Sequence, residues 1–218
     1  MALRDPGTRR CTKPADFYSQ VSQTTGNMPD DIPGKVQGIL VRPLETFRAT
    51  KEEDVRPVVR YFLVILAAGA FLAALVSLFT YGSGWGLLWR VLEIHHPVLV
   101  FFLMLVGGLV LVPLFSFWLH LWVRILGGRK GFSRTLKAVM YGATPGLLFG
   151  WIPVIGVFSW FWVMVLVIFG VSELQDIGGD RAAFAVVVAV IILLVVLALA
   201  AAWFLAASAG ALPVTRAG

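Results

Sequence analysis

The chain has 218 residues, of which 59% are hydrophobic and 14% charged, with a net charge of +6 and a mean hydropathy of +0.86. Soluble domains carry about 25% charged residues, so this chain has too little polar surface for a soluble globule and reads as an integral membrane protein. Its cations lie between apolar runs, which excludes a nucleic-acid partner in favour of membrane topology, and the lone Cys11 excludes an internal disulfide and a Cys/His metal cluster.

Residues 1–33 mix Pro, Gly, Asp, Ser, Thr and Gln and predict a disordered tail. No short apolar core with a cleavage site is visible in the first fifty residues, so no cleavable signal peptide is expected. From Gly34 the pattern turns helical. Val36, Ile39, Leu40, Leu44 and Phe47 share one face, and Gln37, Arg42, Glu45 and Arg48 the other. Pro43 divides this 34–54 segment into two short helices. A basic amphipathic segment ahead of a span predicts a helix lying on an anionic leaflet. The same apolar face would equally suit packing on a helical bundle.

Five apolar runs follow, at about 58–80, 98–125, 136–149, 151–171 and 182–207, and the membrane domain spans 55–209 with a C-terminal tail at 210–218. About 20 residues cross a bilayer as a helix. The run at 136–149 is short and interrupted by Pro145, so it predicts either a short buried helix or half of a re-entrant hairpin. The expected fold is all-α: a five-helix transmembrane bundle preceded by an amphipathic interfacial helix.

Charge sets the orientation. Ten Lys or Arg precede or edge the first run, and Arg124, Arg129, Lys130, Arg134 and Lys137 follow the second. With Arg181 these sixteen fall on one side of a five-span chain, against Arg90 and Arg216 on the other. The positive-inside rule then places the N-terminus in the cytoplasm, in a cell membrane. Trp85, Trp89 and Trp151 near outer span ends, and Trp118 and Trp122 near an inner end, suit interfacial belts. Trp160 and Trp162, deep in the fourth run, suit packing.

No Asp or Glu lies inside a span, which argues against proton- or cation-coupled transport. His120 and Arg124, one turn apart, suit a helix end or lipid headgroups. Glu93, His95 and His96 are too thin a basis for a metal site. Nucleophile-elbow, zincin and phosphate-loop motifs are absent; in GGRKGFS, Gly131 precedes Phe132 instead of the required Lys. No enzyme activity and no cofactor are expected.

The stretch GGRKGFSRTLKAVMYGATPG, 127 to 146, is therefore read physically. Gly127 and Gly128 suit a left-handed cap ending the second run, and Ser133 an N-cap for the next. Ala138, Gly142, Gly146 and Gly150 recur every four residues, as do Gly69, Ala73 and Ser77, and small residues at this spacing let membrane helices approach closely. Arg124, Arg129, Lys130, Arg134 and Lys137 are the candidate headgroup-binding residues; Gly142, Gly146 and Gly150 would pack helices, and Pro145 would bend or end the third.

The Gly-Gly and basic loop followed by TLKAVMYGATPGLL resembles the central signature of the Yip family of Ypt-interacting proteins. The pre-membrane PLETF, Pro43 to Phe47, and the FGVSELQDIGGDRAAFAV loop are similar to its prokaryotic branch, and the resemblance covers about residues 34 to 207. It implies a five-span bundle with a cytoplasmic N-terminus. Eukaryotic members bind prenylated small GTPases and carry a D-L-Y-G-P motif. Here only Tyr141-Gly142 and Pro145 echo that motif, so the carry-over of GTPase binding stops there. The expected function is a non-enzymatic membrane scaffold contacting anionic inner-leaflet lipids or a partner protein, with a homo-oligomer open. The alternative is a small transporter or channel using the broken third run.

Overall fold

The computed structural model describes residues 32–80 and 96–210, and all their regular elements are helices. They are α1 (Ile32–Val41), α2 (Pro43–Ala49), α3 (Val55–Thr80), α4 (Pro97–Ile125), α5 (Phe132–Gly142), α6 (Thr144–Phe149), α7 (Pro153–Gln175) and α8 (Gly179–Gly210). The predicted tail lies outside the described residues except for Ile32 and Pro33, which open α1. Trp85, Trp89, Glu93, His95 and residues 211–218 also lie outside them.

Four helices are long and apolar enough to cross a membrane: Val55–Phe79, Pro97–Ile125, Val154–Gln175 and Gly179–Ala207. Their outward faces carry large exposed apolar side chains such as Phe102, Val106, Phe158 and Leu197. In water such a surface would be costly, at roughly 25 cal/mol per Å² of apolar area; in lipid it is solvated.

The third run is not one continuous helix. α5 ends at Gly142, Ala143 forms a turn, and α6 starts at Thr144 with Pro145 in its first turn. Pro145 has no N–H to give the Tyr141 carbonyl four residues back. That carbonyl accepts the Thr144 hydroxyl instead, at 2.7 Å. The bundle is therefore four long helices plus one broken pair.

The pair nonetheless follows a direction. Thr135 bonds Gln175, a Cβ on Gly170 would meet Ala138 at 3.0 Å, one on Gly142 would meet Val167 Cγ2 at 2.7 Å, and one on Gly146 would meet Val163 Cγ2 at 3.0 Å. As the α5–α6 numbers rise the α7 numbers fall, so the pair runs antiparallel to α7. Against α3 it runs parallel: Lys137 meets Glu53, Thr144 meets Tyr61, and Leu147 meets Gly69. At 1.5 Å per residue, the 11 and 6 residues of α5 and α6 rise about 26 Å beside the 23 residues of α7, about 34 Å. Trp118 Nε1 donates to the Ala189 carbonyl at 2.9 Å, and a Cβ on Gly127 would lie 3.8 Å from Arg181, so α8 runs antiparallel to α4. The starts of α3, α5 and α8 thus share one end of the bundle with the last turns of α4 and α7.

Glycine lets these contacts form. A Cβ on Gly69 would collide with the Leu147 carbonyl oxygen of α6, and one on Gly170 would lie 2.9 Å from the Phe47 ring. The small residues of the third run mostly face α7, and from the first run Gly69 makes a close approach to α6. Trp160 and Trp162, expected to pack, are 62% and 40% exposed on the outside of α7.

The pre-membrane helices sit on the protein. Ile39 and Phe47 are wholly buried in the main core, while Leu44 and Val41 are exposed. Pro43 separates α1 from α2 as predicted, and the two close on each other where a Cβ on Gly38 would come within 2.8 Å of Thr46 Oγ1. Their shared apolar face thus packs on the bundle, chiefly through α2 on α7, with α1 reaching α6 and Phe47 lying beside Tyr141 near the end of α5.

Candidate functional site: a polar layer at the converging helix ends

The site begins with the break after α2. Residues 50–54, Thr-Lys-Glu-Glu-Asp, cannot all bond within a helix, because α2 ends at Ala49 and α3 starts at Val55. Unpaired carbonyls at a helix end need other donors. Lys137 of α5 supplies them. It is 3% exposed, and its Nζ donates to the carbonyls of Glu53 at 2.7 Å, Lys51 at 3.2 Å and Thr50 at 3.3 Å.

Glu53 is the second node. Its Oε2 accepts the Tyr141 hydroxyl at 2.8 Å, and its Oε1 accepts Lys35 Nζ of α1 at 2.5 Å. The two side chains of that ion pair are only 11% and 19% exposed. Tyr141 is fully buried, 5.1 Å from the Tyr61 ring and 6.3 Å from Phe47. Tyr61 in turn meets the Thr144 hydroxyl at 3.0 Å.

A second network lies under the basic loop. Gly127 and Gly131 have φ of 104° and 93°, a region costly for side chains other than glycine. Gly128 N–H bonds back to the Val123 carbonyl at 2.9 Å, so the glycine cap of the second run forms as predicted. Ser133 is not an N-cap; it lies inside α5, which starts at Phe132 with Gly131 in the capping position. The loop rests on Gln175, which is 1% exposed. The Gln175 amide nitrogen donates to the Gly131 carbonyl at 2.9 Å and to Thr135 at 2.8 Å, and its oxygen accepts Lys130 N–H at 3.1 Å. His120 Nδ1 lies 2.9 Å from the Thr135 hydroxyl and its ring 5.8 Å from Phe132.

Surface ion pairs join the networks. Arg48 of α2 grips Glu173 of α7 through two bonds at 3.0 and 3.2 Å. Lys51 and Lys130 both pair with Asp176, the latter at 3.1 Å. Arg134 reaches Glu52 at 3.3 Å. Asp176 ends α7 in a left-handed conformation, φ 54°, which Asp tolerates better than most residues. The Lys51 hydrogen bond, and then the Lys130 one, hold its carboxyl below the usual carboxylate range. Such exposed pairs, screened by solvent, contribute little each. The buried Lys137 and Glu53 contacts therefore hold residues 50–54 more firmly than the surface pairs do.

The expected headgroup residues thus separate. Lys137 is buried and committed to carbonyls, and Lys130 and Arg134 hold carboxylates. Arg124 and Arg129 are exposed, and no carboxylate pairs with them among the described residues. Pro145 is buried at the start of α6, Gly142 and Gly146 face α7, and Gly150 ends α6 with its N–H on the Gly146 carbonyl at 2.8 Å. Trp118 is a packing residue between α4 and α8. Sequence reasoning missed Glu53, Gln175 and Tyr141 as polar nodes. A signal existed for Gln175: it is an uncharged polar residue at the end of an apolar run.

Four apolar helices able to span, an outward surface fit for lipid and one polar end define a helical multi-pass membrane protein. The Yip1 domain family model matches residues 38–212, most of the chain and all the helices of the bundle. The chain belongs to the Yip1 domain family. No curated protein and no solved structure matches significantly.

Proposed function

We propose that this Yip1-domain protein is a non-enzymatic membrane scaffold whose cytoplasmic platform is the docked pre-membrane segment. Under this reading the N-terminus is cytoplasmic, the membrane is the cell membrane, and the broken α5–α6 pair makes the third of five passages. The observation that carries it is the clamp on residues 48–54. Lys137, Tyr141, Arg134, Glu173 and Asp176 all hold that segment against the helix ends. A segment held from so many elements is a rigid surface, as a scaffold needs for partners or lipid. Arg124 and Arg129 beside it are free to meet anionic inner-leaflet headgroups, each worth roughly 1 kcal/mol near such a surface.

The transporter alternative relied on backbone groups freed at the broken run. At the break the Tyr141 carbonyl is bonded by Thr144, the Ala143 N–H by Val139, and the Ala143 carbonyl by Leu147. These groups are already satisfied, which favours the scaffold. The test is to purify the protein from its native membrane and identify co-purified lipids and proteins by mass spectrometry, beside an Arg124→Gln/Arg129→Gln variant. Loss of anionic lipid or of one partner in the variant supports the reading. Identical company in both forms refutes a binding role for the loop.

A further inference from the structure

A second set of unpaired cations lies on another face of the same polar end. α1 and the first turns of α3 enclose a cleft of about 660 Å³ lined by Ile32, Pro33, Lys35, Arg56, Arg60 and Tyr61. Lys35 is neutralised by Glu53. Arg56 and Arg60 are exposed, and no carboxylate pairs with either among the described residues. They stand four apart on one helix face, where like charges repel. No ion pair among the described residues joins either arginine, whereas Lys51, Lys130 and Arg134 all have acidic partners.

The surface next to the two arginines continues along α3 toward the membrane. A shallow groove there is lined by Val55, Arg56, Val59, Arg60, Leu63 and Val64 and is almost wholly apolar. Arg56 and Arg60 border both depressions. A cationic cleft on the polar side and an apolar groove on the membrane side match a molecule with an anionic head and an apolar tail. Guanidinium groups bind phosphate in paired hydrogen bonds.

We propose that the cleft between α1 and α3 binds one anionic phospholipid, its phosphate held by Arg56 and Arg60 and an acyl chain along Val59, Leu63 and Val64. The docked α1 forms the far wall, so the clamp on the pre-membrane segment also builds the lipid site. This site is separate from the Arg124–Arg129 loop, and either can fail alone.

The test uses the full chain in mild detergent, with lipid retention read by native mass spectrometry. The probes are phosphatidylglycerol, phosphatidylcholine and glycerol 3-phosphate. The wild type is expected to retain one phosphatidylglycerol in preference to phosphatidylcholine. Arg56→Gln/Arg60→Gln should weaken that retention about 10-fold or more, in an Arg124→Gln/Arg129→Gln background as well as in the otherwise wild-type chain. Glycerol 3-phosphate alone should bind far more weakly, because it lacks the tail. The arginines are exposed, so an unchanged thermal midpoint in the double variant verifies its fold. Equal retention of both lipids, or retention unaffected by the double variant, overturns the proposal and leaves the arginines as snorkelling charges. Glycerol 3-phosphate binding as tightly as the lipid also overturns it, in favour of a soluble phosphate ligand. A co-purified protein that occupies the cleft and excludes lipid does the same.

Discussion

Replacing Lys137 by Met tests whether the buried ammonium docks the pre-membrane segment. Met keeps most of the apolar stem and fills similar space, so the change isolates the charge and its hydrogen bonds. The carbonyls of Thr50, Lys51 and Glu53 then lose a donor that reaches them at 3.3, 3.2 and 2.7 Å. One good charge-assisted bond contributes about 1.5–3 kcal/mol net. The two longer bonds add less, and relief of the buried charge offsets part of the loss, so we expect about 2–4 kcal/mol of local destabilisation. The loss should concentrate where the anchor acts. Amide exchange at Thr50, Lys51 and Glu53, whose N–H groups bond Thr46, Arg48 and Thr50, should rise about 30- to 1,000-fold. Amides in the middle of α8 should keep their rates. If the 50–53 amides exchange as slowly in Lys137→Met as in the wild type, Lys137 does not hold this segment.

Other perturbations test the packing, the ion pairs and the direction of the chain. Gly69→Ala should lower thermal stability in detergent by about 1–3 kcal/mol, because its Cβ meets the Leu147 carbonyl. Gly107→Ala, whose Cβ meets nothing within 4 Å, should be neutral or slightly stabilising, and equal effects of the two would refute the α3–α6 contact. Asp176 has a folded pKa depressed below its ordinary 3.8, so its contribution is present above that pH and is lost as pH falls through the folded value. The stability difference between wild type and Asp176→Asn should therefore be largest near neutrality and vanish in strong acid; a constant difference would discount the Lys51 and Lys130 pairs. Cysteine labelling at loop 126–131 and after Gly210, in a Cys11→Ser background, should report opposite membrane sides. Labelling from one side at both positions would mean that α8 does not cross.

Much of the architecture is legible in sequence because its cause is local. Length and hydropathy alone mark α3, α4, α7 and α8. Pro43 and Pro145 break helices through a missing N–H, and Gly127 permits its positive φ wherever it stands. The polar layer was less legible because its partners are far apart in sequence: Lys137 meets residues more than eighty positions back, and Gln175 meets Gly131. Amphipathicity shows that α1 and α2 have an apolar face but not whether lipid or protein covers it. Ile39 and Phe47 answer for protein, since Gly170 leaves the hollow into which Phe47 fits. The same ambiguity attends Gly142 and Gly146, whose spacing predicts close helix contact without naming α7 as the partner.

Counting cations by loop treats Lys137 and Arg129 alike, although they do different work. One group of cations, Lys35, Arg48, Lys51, Lys130, Arg134 and Lys137, is paired with carboxylates or carbonyls and assembles the polar layer. The other, Arg56, Arg60, Arg124, Arg129 and Arg181, is exposed and has no carboxylate partner among the described residues. Both groups sit at the end of the bundle where α3 and α8 begin and α4 ends. Topology requires only that positive charge be present on that side; it does not require half of the cations to be neutralised by long-range partners. The paired group follows from the need to bond the carbonyls of residues 50–53 and to dock α2. The unpaired group is then the part of the count left to face whatever lies outside the protein, and its proposed contact with anionic headgroups is what the arginine variants test.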